Sequence, residues 1–160
     1  MTSSEAVVSL LRCKKMIIAC AESCTGGLMA KRITDISGSS EIFEMGIVAY
    51  ANRIKTKLLG VPTQLLEEKG AVCAEVARFM AEGVCFISDS DIGVGITGIA
   101  GPGGGSQEKP VGLVYISIYL KENNNFYVEE LHLEGDRSQV RNATVEKVFA
   151  KVIELVEKFS

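Results

Sequence analysis

Three compact apolar runs, Met16 to Cys20, Gly46 to Ala51 and Asp91 to Ile99, are separated from one another by stretches of helical period. Each run has the length and composition of a buried strand. Strands joined through helices need crossover connections, and crossovers make the strands parallel. Two further runs, Val111 to Leu120 and Phe126 to Leu133, are separated only by a turn at Glu122-Asn123-Asn124-Asn125 and read as an antiparallel hairpin. Ser3 or Ser4 caps a first helix, and Leu28 to Ile36 forms a second. Asn52 opens a third that runs to Leu59, and Pro62 sits in the first turn of a fourth, which Gly70 ends. Ala74 to Ile87 is a fifth, with Val76, Phe79, Met80, Gly83, Val84 and Ile87 on one face. The last runs from about Ser138 to Phe159, capped by Asp136, with Val140, Ala143, Val148, Val152, Leu155 and Phe159 inward. These elements predict an α/β fold, a three-layer α/β/α sandwich around a mixed, mostly parallel five-stranded sheet. No repeat, linker or low-complexity tract interrupts the chain, so residues 1–160 read as one domain.

Chemistry is narrowed by what the chain lacks. It has one histidine, His132, in an alternating strand-like stretch. A multi-histidine metal site is excluded, and a Ser-His-Asp triad has only that residue to use. The five cysteines, Cys13, Cys20, Cys24, Cys73 and Cys85, are odd in number and form no CxxC pair. They read as free thiols of a reducing compartment. A formal net charge of −3 offers no broad basic surface to nucleic acid. No signal peptide or bilayer-length apolar run is present, so a cytoplasmic protein without a membrane partner is expected.

Five segments remain as carriers of chemistry. Ala21-Glu22-Ser23-Cys24-Thr25-Gly26-Gly27 lies where a buried strand ends and a helix begins, where open α/β sheets bind ligands. Ser23, Cys24 and Thr25 are each candidate nucleophiles or ligand contacts, with N–H groups near Gly26 and Gly27 as anion donors. Ser23 or Thr25 reads equally well as a plain helix cap. Gly38-Ser39-Ser40, ahead of Glu41-Ile42-Phe43, resembles a helix cap more than a ligand contact. Tyr50-Ala51-Asn52-Arg53-Ile54-Lys55 reads on its own as a solvated basic surface; Tyr50 and Lys55, five apart, do not share a helix face, and only a strand-to-helix corner between them would turn both toward one pocket. Lys55 serves as a base only if its pKa is lowered, by burial or by Arg53 or Lys57. The glycine-rich stretch from Gly93 to Ser106, with Thr97, Gly98 and Gly101, lets backbone N–H groups approach a phosphate or a planar ring. It matches neither a Walker loop nor a dinucleotide fingerprint. Arg137 stands in the first turn of the last helix, with Arg141 a turn later. A cation there opposes the helix dipole, which an anionic partner would explain.

Together these segments resemble the C-terminal domain family of the competence- and damage-inducible protein CinA. The likeness is carried by residues 21–27, by Gly38-Ser39-Ser40 with Phe43, and by Tyr50 with Asn52 and Lys55. It continues through Leu59-Gly60-Val61, Gly70-Ala71-Val72, Thr97-Gly98-Ile99-Ala100-Gly101-Pro102 and Glu108-Lys109-Pro110-Val111-Gly112. The resemblance implies a metal- and cofactor-free amidohydrolase that converts nicotinamide mononucleotide to nicotinic acid mononucleotide and ammonia, on an α/β/α fold. Many members carry a further N-terminal domain, and this chain reads as the stand-alone form. The resemblance further implies Ser23 as nucleophile and Lys55 as its base. Tyr50 is implied as a neighbour that positions or relays the proton, and Ser40 as part of the oxyanion site. Thr97 and Arg137 become substrate contacts, Arg137 toward the phosphate. Thr25, Gly26, Gly27, Gly98 and Gly101 complete the expected substrate-binding set. Two departures stand out: Cys73 replaces an expected serine, and Arg53-Ile54 replaces an acidic-alanine pair.

A non-catalytic nucleotide-binding module, or a serine-lysine amidase of other specificity, is compatible with the same segments. A small α/β enzyme is also expected to form a symmetric oligomer.

Overall fold

The computed structural model describes residues 1–159. Its sheet has five strands: β1 (Ile18–Glu22), β2 (Phe43–Val48), β3 (Ile92–Gly98), β4 (Leu113–Leu120) and β5 (Asn125–His132). They lie in the order β2-β1-β3-β4-β5. β1 pairs in parallel with β2 and β3, and β4 pairs antiparallel with β3 and β5, so four of the five strands run the same way. The six helices are α1 (Ser3–Lys14), α2 (Leu28–Thr34), α3 (Asn52–Leu59), α4 (Thr63–Lys69), α5 (Ala74–Ser88) and α6 (Arg137–Lys158). α1, α2 and α6 cover one face of the sheet, and α5 with α3 covers the other. The α/β/α sandwich with a mixed sheet is therefore as the sequence predicts.

Several boundaries differ. β1 begins at Ile18, after Ile17 gives its N–H to the Asp91 carboxylate, and ends at Glu22 rather than Cys20, because Ala21 and Glu22 still pair with β2 and β3. β2 starts at Phe43, three residues early, as an edge strand; an irregularity after Phe43 puts Phe43 on the core under α1, α2 and α6 and Met45 and Ile47 on the core under α3 and α5. The hydroxyls ahead of it form only a short 3-10 turn, Ser39–Glu41. Thr2, not Ser3 or Ser4, caps α1, in a reciprocal pair with Glu5. Asp136 caps α6 in the same way with Gln139.

α5 buries Val76, Ala77, Met80, Ala81, Val84 and Cys85, while Phe79 and Ile87 are exposed. The helical period read Phe79 and Ile87 as inward together with Val76, Met80 and Val84, and only the last three are buried. The cause lies in β3, where a Cβ on Gly93 would stand 2.0 Å from the Ala81 carbonyl oxygen, and one on Gly95 2.2 Å from that of Ala77. The helix packs down on two glycines, so its small residues face the sheet. α6 likewise buries Thr144, Val145, Phe149 and Val156 in addition to Val140, Val148 and Val152, while Ala143 and Leu155 are half-buried and Phe159 is exposed.

Candidate active site

β1 places its side chains on alternating faces of the sheet. Ala19 and Ala21 join the core under α3 and α5, while Ile18 and Cys20 join the core under α1, α2 and α6. Ser23 follows the strand, and its N–H still donates to the Ile96 carbonyl at 3.0 Å, extending the β1–β3 ladder by one residue. α3 starts just after the end of β2 and brings Lys55 in from the side. Lys55 Nζ donates to Ser23 Oγ at 3.0 Å and to the Tyr50 carbonyl at 3.1 Å. The lysine is only 1 % exposed, one of the largest fully buried side chains. Burial pulls its pKa below the ordinary lysine value. Arg53 and Lys57, offered by the sequence as neighbouring cations, are exposed and take no part in that shift.

Of the three candidate nucleophiles, Ser23 is the one that Lys55 touches. Burial pushes the adjacent Cys24 thiol up to about 12, which keeps it protonated. Thr25 is fully buried, with a hydroxyl that has no partner, and does not line the cleft.

Ser23 and Lys55 sit in a cleft of about 230 Å³ above the carboxyl ends of β1 and β3. One wall is the loop after β3, with Gly98, Gly101, Gly103 and Gly104. Another is the segment at Ala71 and Val72, tied to β3 by the Thr97 hydroxyl, which donates to the Ala71 carbonyl at 2.9 Å. The mouth is formed by Tyr50, Asn52 and Arg137. Arg137 donates to the Gly101 carbonyl at 2.7 Å and to the Tyr50 hydroxyl at 3.1 Å. The cleft therefore offers a hydroxyl, a buried amine, glycine-rich backbone and a guanidinium at its rim. That set suits attack on a polar, anionic small molecule.

Some expected residues lie elsewhere. Ser40 is exposed and precedes β2, so it stands at the amino edge of the parallel strands, opposite Ser23. Within one protomer it cannot form part of an oxyanion site there. Gly26 and Gly27 turn the chain behind the cleft and do not line it, and the Gly26 N–H already donates to the Ser23 carbonyl. Tyr50 is 61 % exposed and its phenol is bonded to Arg137; its backbone carbonyl, not its hydroxyl, holds Lys55. His132 lies on the edge strand, exposed and bonded to Glu130. Among the described residues no cluster of metal-ligating side chains exists.

Two residues were missed as parts of the site. Asn52 lines the mouth; the sequence offered it as a helix cap and as part of the family motif without a role in the site, and the N-cap of α3 is in fact Ala51. Arg141 donates twice to the Thr25 carbonyl, at 3.2 and 2.6 Å, and holds the turn after Ser23. Its spacing from Arg137 was the available signal, because residues four apart share a helix face.

The fold and the site thus define an α/β/α domain with a buried serine–lysine pair in a cleft at the carboxyl edge of its sheet. The chain matches the CinA C-terminal domain family over residues 1–156 and belongs to that family. A putative competence-damage inducible protein of Caldicellulosiruptor bescii is 51% identical over 140 residues, covering 88% of this chain and 34% of that protein. A CinA-like protein of Geobacter sulfurreducens is 52% identical over 143 residues, 89% of this chain and 34% of its own length. The chain thus spans about a third of the length of the curated relatives it matches. The crystal structure of the competence/damage inducible protein CihA from Agrobacterium tumefaciens superposes with a TM-score of 0.92 at 39% identity, covering 96% of this chain and 93% of that one.

Proposed function

We propose that this chain hydrolyses the carboxamide of nicotinamide mononucleotide to nicotinic acid mononucleotide and ammonia. The observation that carries the reading is the buried Lys55 amine, 3.0 Å from Ser23 Oγ and depressed in pKa, at the floor of an open cleft. Neutral Lys55 takes the Ser23 proton as Oγ attacks the carboxamide carbon. The tetrahedral oxyanion then collapses, the C–N bond breaks, and the leaving nitrogen takes the proton from Lys55 to depart as ammonia. Water cleaves the acyl-serine ester, giving a proton back through Lys55 to Ser23. Thr97, Gly98 and Gly101 face the bound nucleotide. Arg137, held in place by the Tyr50 hydroxyl, meets the phosphate at the rim through a charge-assisted bond. The ribose phosphate supplies orientation rather than bond-making. No step calls for a metal or a cofactor. No helix of the described residues is long and apolar enough to cross a membrane. The reading takes the cytoplasm as the site of the reaction, with a small molecule rather than nucleic acid or membrane as partner.

The test is ammonia release from nicotinamide mononucleotide by chelator-treated protein, beside Ser23→Ala. Release by the wild type alone supports a serine amidohydrolase, and free nicotinamide is expected to be a far poorer substrate. A folded wild type that binds the nucleotide without releasing ammonia would instead point to a binding module. Release from other amides alone would point to a different amidase.

A further inference from the structure

The group closest to Ser23 in the chain that the mechanism leaves unused is the carboxylate of Glu22, which is 1 % exposed. It faces away from the cleft, and its two oxygens are fully engaged. Oε1 accepts from the Met29 N–H at 2.9 Å, and Oε2 accepts from the Ala30 N–H at 3.1 Å and the Cys20 thiol at 3.7 Å. These are first-turn amides of α2, a helix whose N-cap, Gly27, has no side chain to cap them. Glu22 does so from seven residues upstream, and it is fixed by its own backbone, whose carbonyl accepts from the Ala49 N–H at 2.8 Å. The chain between Ser23 and Leu28 is thereby closed into a short arch.

The arch is held a second time from α6, on the same face of the sheet as α2. Arg141 of α6 grips the Thr25 carbonyl. Gly26, at φ +58, packs so closely beneath that guanidinium that a Cβ would lie 2.8 Å from Arg141 Nη2. Inside the arch the Gly26 N–H bonds Ser23 and the Leu28 N–H bonds Thr25. With Met29 and Ala30 engaged by Glu22, the helix start offers no donor to a ligand from those amides. Cys24 is the residue next to Ser23 that lines the cleft, and the backbone hydrogen bonds that close the arch are made by Gly26 and Leu28 rather than by its N–H.

We propose that Glu22 is a positioning residue: its carboxylate occupies the start of α2 and, opposed by Arg141, sets the turn that presents Ser23 Oγ to Lys55 and the Cys24 N–H to the developing oxyanion. A nucleophile and an oxyanion donor on adjacent residues depend on one backbone geometry. The device that fixes that geometry governs the rate of bond-making and leaves substrate affinity, which arises at the glycine loop and Arg137, largely alone. The assignment rests on Ser23 being the nucleophile, but not on the identity of the amide.

The experiment compares Glu22→Gln with wild type, reading acylation of Ser23 by p-nitrophenyl acetate through p-nitrophenolate release and peptide mass. Gln keeps the size of the side chain but turns an N–H₂ against one of the two amides. The expected result is a folded protein whose Ser23 acylation is slower by about tenfold to a hundredfold. With nicotinamide mononucleotide the loss is expected in kcat, with KM little changed. Thr2→Val, which removes the cap of α1 far from the cleft, is the control for lost helix capping and is expected to leave the acylation rate unaltered. Arg141→Met perturbs the same turn from the half-exposed side and is expected to slow acylation likewise, even if Glu22→Gln folds poorly. Slowed acylation supports the assignment even where nicotinamide mononucleotide is not hydrolysed, an outcome that would sink only the substrate reading. Unchanged acylation in a folded variant, a loss confined to KM, or an equal loss in Thr2→Val would overturn it, as would a wild type whose Ser23 does not acylate.

Discussion

Lys55 is a long cationic side chain placed where a hydrophobic one would pack, and its surroundings make the ammonium form costly. Two expectations follow from the direction of its pKa shift. The rate kcat/KM should climb with pH as Lys55 loses its proton, with an apparent pKa below the usual lysine value of about 10.4. Stability should respond as well. Below the folded-state pKa both folded and unfolded chains hold the proton, and the buried charge weighs against folding. Between the folded and unfolded values the unfolded state binds more protons, so the wild type gains stability as pH rises through that window. Lys55→Met has no such titration. Urea unfolding of both proteins at stepped pH should show the wild type gaining on the variant toward alkaline pH. A constant difference would mean that burial does not govern the lysine. Tyr50 separates by atom: its carbonyl holds Lys55 and its phenol holds Arg137. Tyr50→Phe should therefore raise KM for the nucleotide severalfold while leaving kcat near wild type. A large fall in kcat would return the phenol to the proton path.

At the scale of elements, the closest packing is that of α5 on β3. Gly93→Ala drives a methyl group toward the Ala81 carbonyl, and a loss of about 3 kcal/mol is expected from urea denaturation. Gly103→Ala in the open loop, with nothing within 4 Å, should change stability by less than about 0.5 kcal/mol. The same contact explains why the inner face of α5 was misread. Hydrophobic period alone favours Phe79 and Ile87, but a helix seated on two glycines turns Ala77, Ala81 and Cys85 downward. The shift of β1 by two residues has a similar origin. Nothing within Met16 to Glu22 tells which residues enter the ladder; the Asp91 carboxylate, distant in the chain, takes the Ile17 N–H ahead of it, and β2 and β3 still pair with Ala21 and Glu22 at its end. That small change moves Glu22 from a loop into the sheet.

For the molecule as a whole, charge is unevenly placed. The chain is acidic, with a formal net charge of −3, yet Arg137 lines the cleft and Arg141 lies behind it. An anionic substrate should therefore bind less tightly as salt is raised, through KM rather than kcat, while a neutral amide should be insensitive. Both outer strands, β2 and β5, have an unpaired edge within the protomer. Phe86 stands 63 % exposed near the end of α5, with Ile87 beside it. Self-association is the expected state. Sedimentation of the 17.2 kDa chain as a monomer at every concentration would refute it.

The order of strands and helices, the mixed sheet and the placing of residues 21–27 and the glycine loop at strand ends were legible from local patterns, whereas Lys55 stood out only through the family resemblance. Periodicity, turn residues and residue types are properties of neighbours in the chain, and they are written there. The contact of Lys55 with Ser23, the exclusion of Ser40 and the turning away of Thr25, Gly26 and Gly27 were decided only in three dimensions. So were the clamp of Arg141 and the cap supplied by Glu22. Each of these depends on which face of a strand a side chain takes and at which edge of the sheet a loop emerges, and a slip of one residue in a strand reverses the face.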